Sequence, residues 1–296
     1  MLSRTTSALL AVSVAVAAPS RAAAYCFSGA CIDGGDQFCD QDATLPRGCH
    51  LIRWKTGCTG FVIQKDGGPN ITPHLLDSLI GKAFSNWENV DCGGGAHPGV
   101  HVIDMGEANC NKIEYNKDAP NQNVIIVRSM AWPHPPQAGH DIALTTTTFD
   151  PTDGELLDAD MELNAANFTF TTSDSSVDFD LLSVLQHETG HFIGMQHSDD
   201  PDATMRPEYP PPSMALALRN LSPDDIKGIC TIYPPDPSVT PQCNPLGRHG
   251  FSPDCKAEQT EGTCAYSAGG APSSAAAFVV LAGALLFISR KAGTRS

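Results

Sequence analysis

Residues 187–197, His-Glu-Thr-Gly-His-Phe-Ile-Gly-Met-Gln-His, constrain this chain more tightly than any other stretch. On a helix, His187 and His191 lie one turn apart on one face, so both imidazoles can reach a single metal ion. Glu188 follows the first histidine and points about 100° around the helix, beside that ion, where a carboxylate can act as general base on a water. Gly194, with no Cβ, can end the helix in a left-handed conformation and turn the chain back, which makes His197 available as a third ligand. Three neutral nitrogens and an open fourth position suit a catalytic zinc ion, and one such ion is expected. Two histidines and a glutamate placed for solubility would not also bring the glycine, the third histidine and, further on, Met205.

The full pattern resembles the metzincin zinc proteases, whose signature is His-Glu-x-x-His-x-x-Gly-x-x-His with a later methionine turn. Ser198 after the third histidine, followed by Ala203-Thr204-Met205-Arg206-Pro207-Glu208-Tyr209, is similar to the matrixin branch. The resemblance spans residues 51–233 and is specific from about residue 143 onward. It implies a metzincin (zincin-like) α/β, or α+β, fold: a twisted mixed sheet, a packing helix, the zinc helix and a C-terminal helix. It implies zinc-dependent cleavage of proteins or peptides. Met205 would then form a floor under the metal without binding it, and residues 207–209, among them Pro207 and Tyr209, would wall a substrate pocket. Residues 143–146, including Ala143 and Leu144, would pair with an extended substrate by strand addition. Matrixins also use structural calcium, and Asp158 and Asp160 are the candidates. The alternative is that Asp158, Asp160 and Glu162 share a solvated strand face. His134 and His140 do not match the vertebrate pattern for a second zinc, and none is expected.

The remaining elements follow from local patterns. Residues 51–54, 60–64, 100–103, 124–127, 142–149 and 156–164 read as strands. Thr72-Pro73 opens a helix with an apolar stripe from Leu75 to Trp87, Asp178 is the expected N-cap of the zinc helix, and Ser222-Pro223 opens the last helix. Residues 25–58, rich in cysteine and glycine, read as a disulfide-held loop segment and potential pro-segment. Cys49 is a half-cystine or, within Pro46-Arg47-Gly48-Cys49, a displaced version of the matrixin latency motif.

The charge balance of 18 Lys+Arg against 33 Asp+Glu excludes nucleic acid and anionic membrane surfaces as natural partners. Residues 1–24 read as a secretory signal peptide, and 11 cysteines suit an oxidising, extracellular location. Residues 59–234 are the expected catalytic domain and 235–270 a Pro/Cys linker. Residues 271–296 form an apolar segment with a basic end: a membrane anchor, or a tail resembling myxobacterial surface-sorting signals with Cys264 as the processing residue. A secreted or surface-anchored monomeric endopeptidase is the expected whole. Its rival is a non-catalytic zinc-binding surface protein that uses the same fold for adhesion.

Overall fold

The computed structural model describes residues 25–31, 36–38, 45–135, 140–175, 177–237, 243–256 and 279–286. The expected signal peptide and Cys264 lie outside these residues.

The chain runs β1 (Cys26–Cys31), β2 (Asp36–Phe38), β3 (Cys49–Leu51), β4 (Cys58–Gln64), α1 (Pro73–Glu88), β5 (His101–Ala108), β6 (Val124–Val127), β7 (Asp141–Phe149) and β8 (Leu156–Leu163). Two short strands, β9 (Phe170–Thr171) and β10 (Phe179–Asp180), precede α2 (Leu181–Phe192) and β11 (Met195–Gln196). Then come a one-turn α3 (Pro212–Ala215), α4 (Pro223–Ile232) and β12 (Val279–Leu286). The main sheet has the order β12-β7-β8-β6-β4-β5. Its β8, β6, β4 and β5 are mutually parallel, while β7 and β12 run antiparallel to their neighbours, so the sheet is mixed as expected.

The sheet's alternation decides where the metal helix can sit. Side chains at successive positions point to opposite faces, so Ala143, Thr145 and Thr147 of β7 share one face with Leu163, Met161 and Ala159 of β8. That face receives α1 and α2. Thr72 caps α1 by accepting from the Leu75 amide at 3.2 Å, and Pro73 takes the first helical position, where a missing N–H costs nothing. The buried stripe Leu76, Ile80, Ala83, Phe84 and Trp87 packs α1 on the sheet and on α2. At the other end, Ser222 and Asp225 form a reciprocal capping box at the start of α4.

Three expectations change. Residues 25–58 are not simply loops: β1 pairs antiparallel with β2, β3 and β11, so Phe27 lies opposite Met195 directly after the metal helix. No periodicity announced these strands, because Cys26 to Ala30 of β1 are all buried and β11 is distant in sequence. Cys49 is bonded to Cys31, which takes it away from any metal. The expected linker is partly a clamp: Cys243 is bonded to Cys58 on β4 and Cys255 to Cys110 just beyond β5, and the Pro253 carbonyl accepts from the Asn109 and Cys110 amides. Residues 243–256 thereby cover the sheet face opposite the helices.

Of the apolar tail, the structure describes residues 279–286. Residues 279–286 form a strand in register with β7, from Val279 opposite Phe149 to Leu286 opposite Asp141. No helix among the described residues is long and apolar enough to cross a membrane. Because β12 pairs along the outer side of β7, the stretch 143–146 expected to present a free edge already has a neighbour there.

Candidate metal centre

All twelve residues of α2 are buried, so the helix has no solvent face and every polar group on it needs an internal partner. The start is set by Asp180, two residues later than Asp178. Leu181 is already buried and must be helical, while Asp178 is exposed. Asp180 accepts from the Ser183 amide at 2.9 Å and the Ser183 hydroxyl at 2.7 Å, and Arg219 closes on both its oxygens at 2.8 and 2.6 Å. Burial alone would raise the Asp180 carboxyl, but the Arg219 and Ser183 hydrogen bonds hold it below the ordinary carboxylate value. At the far end the last carbonyls are capped from distant sequence: the Trp54 indole donates to Phe192 O and the Tyr233 hydroxyl to Ile193 O, both at 2.9 Å. Trp87 donates to Gln186 O at 3.0 Å in mid-helix.

This rigid support brings His187, His191 and His197 together. The Nε2 atoms of His187 and His191 are 3.1 Å apart, and those of His191 and His197 3.2 Å. His187 Nδ1 donates to Thr204 O at 2.7 Å and His191 Nδ1 to Met195 O at 2.9 Å. A carbonyl can only accept, so both rings carry their proton on Nδ1 and turn Nε2 lone pairs toward each other. Lone pairs at that distance repel unless a cation lies among them. Burial also disfavours the imidazolium forms, pushing His187 down to about 3, His197 to about 4 and His191 well below its usual value. The donor set, three neutral imidazoles converging through one nitrogen each, fits a zinc ion with a position left open.

Glu188 lies beside the triad and is fully buried. Its Oε2 accepts from the Thr145 hydroxyl at 2.6 Å, while Oε1 has no hydrogen-bond partner. Burial lifts the carboxyl to about 8, opposed by the Thr145 hydrogen bond and assisted by the Asp141 charge. A group so placed can both take up and return a proton near neutral pH.

The chain after α2 is held by the first turn of α4. Gly194 has φ +96°, as the left-handed turn requires, and an added Cβ would come within 2.5 Å of Ile52 O. The Ser198 amide donates to Met205 O at 2.8 Å, closing the loop that carries His197 past the metal side. Asp225 accepts from the Thr204 amide at 2.8 Å and the Met205 amide at 3.1 Å, and Asp224 from the Ser198 hydroxyl at 2.6 Å and the Tyr25 amide at 3.0 Å. Two adjacent acids in the first turn of α4 thus tie the loop to the body of the protein. Met205 is fully buried against α2 at Gly190, where a Cβ would overlap the Met205 sulfur and lie 2.9 Å from Trp87 Cζ2. Gly190→Ala is therefore expected to cost about 1–3 kcal/mol of stability by overpacking, read as a lower denaturant midpoint in both metal-free and metal-loaded protein.

The other expected site residues are distributed unevenly. Ala143 shares the helix-side face with Thr145, whereas Leu144 is on the opposite face, paired across from Glu162. Tyr209 is buried and its hydroxyl accepts from the Asp180 amide at 2.6 Å, so it buttresses the start of α2; Pro207 is half-buried nearer Arg206. Asp158, Asp160 and Glu162 are all buried, not solvated, on the face away from the histidines. They take this place because β8 is an interior strand whose opposite face is covered by the 109–121 segment and residues 243–256. Asp160 spends both oxygens on backbone amides, Val124 at 2.8 Å and Glu114 at 3.1 Å. Burial, then the adjacent carboxyl, raises Asp158, and it joins no group of three converging ligands among the described residues. His134 Nε2 donates to Glu162 Oε2 at 2.6 Å.

Sequence reasoning passed over Thr145, Gly190, Asp224 and Asp225. The threonine run and the acids after Ser222 carry no local mark of their tertiary partners.

Residues 128–234 match the family model described as Matrixin. The chain is 43% identical over 185 residues to metalloendoproteinase 1 of Glycine max, covering 62% of this chain and 53% of that protein. It is 29% identical over 189 residues to neutrophil collagenase of Homo sapiens, covering 60% of this chain and 35% of that one. A third relative, metalloendoproteinase 4-MMP of Arabidopsis thaliana, is 39% identical over 93 residues, 31% of this chain and 26% of its own. The chain thus spans about half, or less, of the length of each of these relatives. The mixed sheet with its three principal helices is consistent with the metzincin architecture.

Proposed function

We propose that this chain is a zinc-dependent endopeptidase that hydrolyses peptide bonds in proteins outside the cytosol. The observation that carries the reading is the convergence of the Nε2 atoms of three histidines beside a buried carboxylate with one oxygen unused. A site built only to hold its fold together would close the fourth position with a protein ligand and would have no use for such a carboxylate. His187, His191 and His197 would hold the ion, with Thr204 O and Met195 O fixing two of the rings from behind. Bound zinc supplies Lewis acidity, polarising the scissile carbonyl and acidifying a water. Glu188 takes the proton from that water and returns it to the leaving amine, so that one group serves as base and then as acid. Met205 packs against Gly190 of α2, and Thr145 with Ala143 stands on the sheet face toward that helix.

Export is supported by the cysteines: Cys26, Cys31, Cys49, Cys58, Cys92, Cys110, Cys230, Cys243 and Cys255 are all disulfide-bonded, a state that persists in oxidising compartments. Cleavage after Ala24 would leave the Tyr25 nitrogen as an ammonium on the buried Asp224 carboxylate it already meets, which supports processing at that bond.

The test is zinc stoichiometry together with hydrolysis of a mixed peptide library by the full chain. One zinc per chain with internal cleavage, abolished by a chelator and restored by added zinc, is the expected result. Stoichiometric zinc with no cleavage of any peptide would overturn it in favour of a binding role.

A further inference from the structure

Strand β7 and α2 are joined by polar contact between Thr145 and Glu188. Thr145, in the middle of β7, is fully buried and directs its hydroxyl to Glu188 Oε2 at 2.6 Å, with the Glu188 backbone carbonyl further off at 3.3 Å. One hydroxyl proton can serve one acceptor well, and the shorter contact to the carboxylate takes it. The other oxygen, Oε1, is buried and lacks a partner. The two oxygens of Glu188 are therefore not equivalent: one is tethered to the sheet, the other is left for the reaction. The neighbours on β7 emphasise the choice. Thr146 and Thr148 point to the opposite face, whereas Thr145 points to α2 and donates to the carboxylate.

We propose that Thr145 is a positioning residue for the proton-transfer step, fixing the rotamer of Glu188 so that its free oxygen faces the reacting water. This rests on the endopeptidase reading above. A buried carboxylate held at only one end by its own side-chain torsions would sample orientations in which neither oxygen is in line. A hydrogen bond from a residue whose backbone is locked into the sheet removes that freedom.

Thr145→Val keeps size and branching while deleting the donor, and Thr145→Ser restores the donor on a smaller frame. The expected result is a fall of about 10- to 100-fold in kcat for Thr145→Val, with KM within about twofold of wild type and zinc stoichiometry unchanged. Thr145→Ser is expected to recover most of kcat. An independent readout uses metal-free full-length protein: the carboxyl stretch assigned to Glu188 by its loss in Glu188→Ala should shift in Thr145→Val and return in Thr145→Ser. An unchanged kcat in Thr145→Val, or equal losses in Val and Ser with an unmoved carboxyl band, would overturn the proposal. Activity in wild type alongside either outcome leaves the endopeptidase reading standing, whereas a wild-type chain that binds zinc and cleaves nothing would fail that reading. The infrared comparison would still report on the tether.

Discussion

Glu188→Ala is expected to retain one zinc per chain and to lose roughly 10³-fold or more of peptide hydrolysis, in keeping with the worth of a positioned general base. The separation of the two effects follows from geometry. Metal binding requires the three Nε2 atoms, whose rings are fixed by Thr204 O, Met195 O and the turn at Gly194, none of which depends on Glu188. Proton transfer requires a basic oxygen beside them, and Oε1 of Glu188 is the buried carboxylate oxygen at the triad with no competing partner. The substitution removes an unsatisfied buried oxygen and leaves a small void, effects of opposite sign on stability, so folding should change by no more than about 1–2 kcal/mol. Metal analysis and steady-state rates on the same preparation make the comparison. Zinc lost together with activity would make Glu188 a ligand, and an undiminished rate would remove it from the mechanism.

The second large effect lies away from the metal. Asp180 caps α2 and is closed off from solvent, while Arg219, mostly buried, supplies both of its charged hydrogen bonds. Arg219→Met would leave an acid buried without its counter-charge, which typically costs about 3–5 kcal/mol, or roughly 10 °C in melting temperature for a domain of this size. The pH dependence gives the sign. In the wild type the folded-state value of Asp180 lies below the ordinary carboxylate value, so its contribution is fully present above about pH 4 and is lost as pH falls through the lowered value. Without Arg219, burial dominates and the acid resists ionisation. The stability gap between wild type and variant should therefore be widest near pH 7 and shrink below about pH 4. Urea titrations of metal-free protein at pH 7 and pH 3.5 would show it; a gap independent of pH would mean that the loss is one of packing only.

Much of the site could be read from residues 187–205 because the information is local. Helical periodicity puts His187 and His191 on one face, a residue without Cβ permits the turn at Gly194, and the spacing to His197 is short enough to be bridged by one tight turn. The same locality made the strands 124–127, 142–149 and 156–164 and the caps at Thr72 and Ser222 legible. Composition, by contrast, misled where burial came from other parts of the chain. An alternation of acids on β8 looks like a wet strand face, yet the segments 109–121 and 243–256 cover it, and two disulfides from distant cysteines hold the cover in place. In the apolar run near the end of the chain, residues 279–286 pair as a strand on β7, a partner that composition does not record.

By itself the sequence determined that His187, His191 and His197 come together beside Glu188, and which helix carries them, since each depends on neighbours within one or two turns. Only the tertiary structure decided what holds that set in working order: Asp224 and Asp225 on the loop, Trp54 and Tyr233 on the carbonyl end of α2, Gly190 beneath Met205, and Thr145 on Glu188. These contacts join residues from 15 to 199 positions apart, as the Met205–Gly190 packing and the Tyr25–Asp224 bond mark at the two ends. Hydrogen bonds and close packing act over a few ångströms in space, and nothing in the local pattern around either partner records the other.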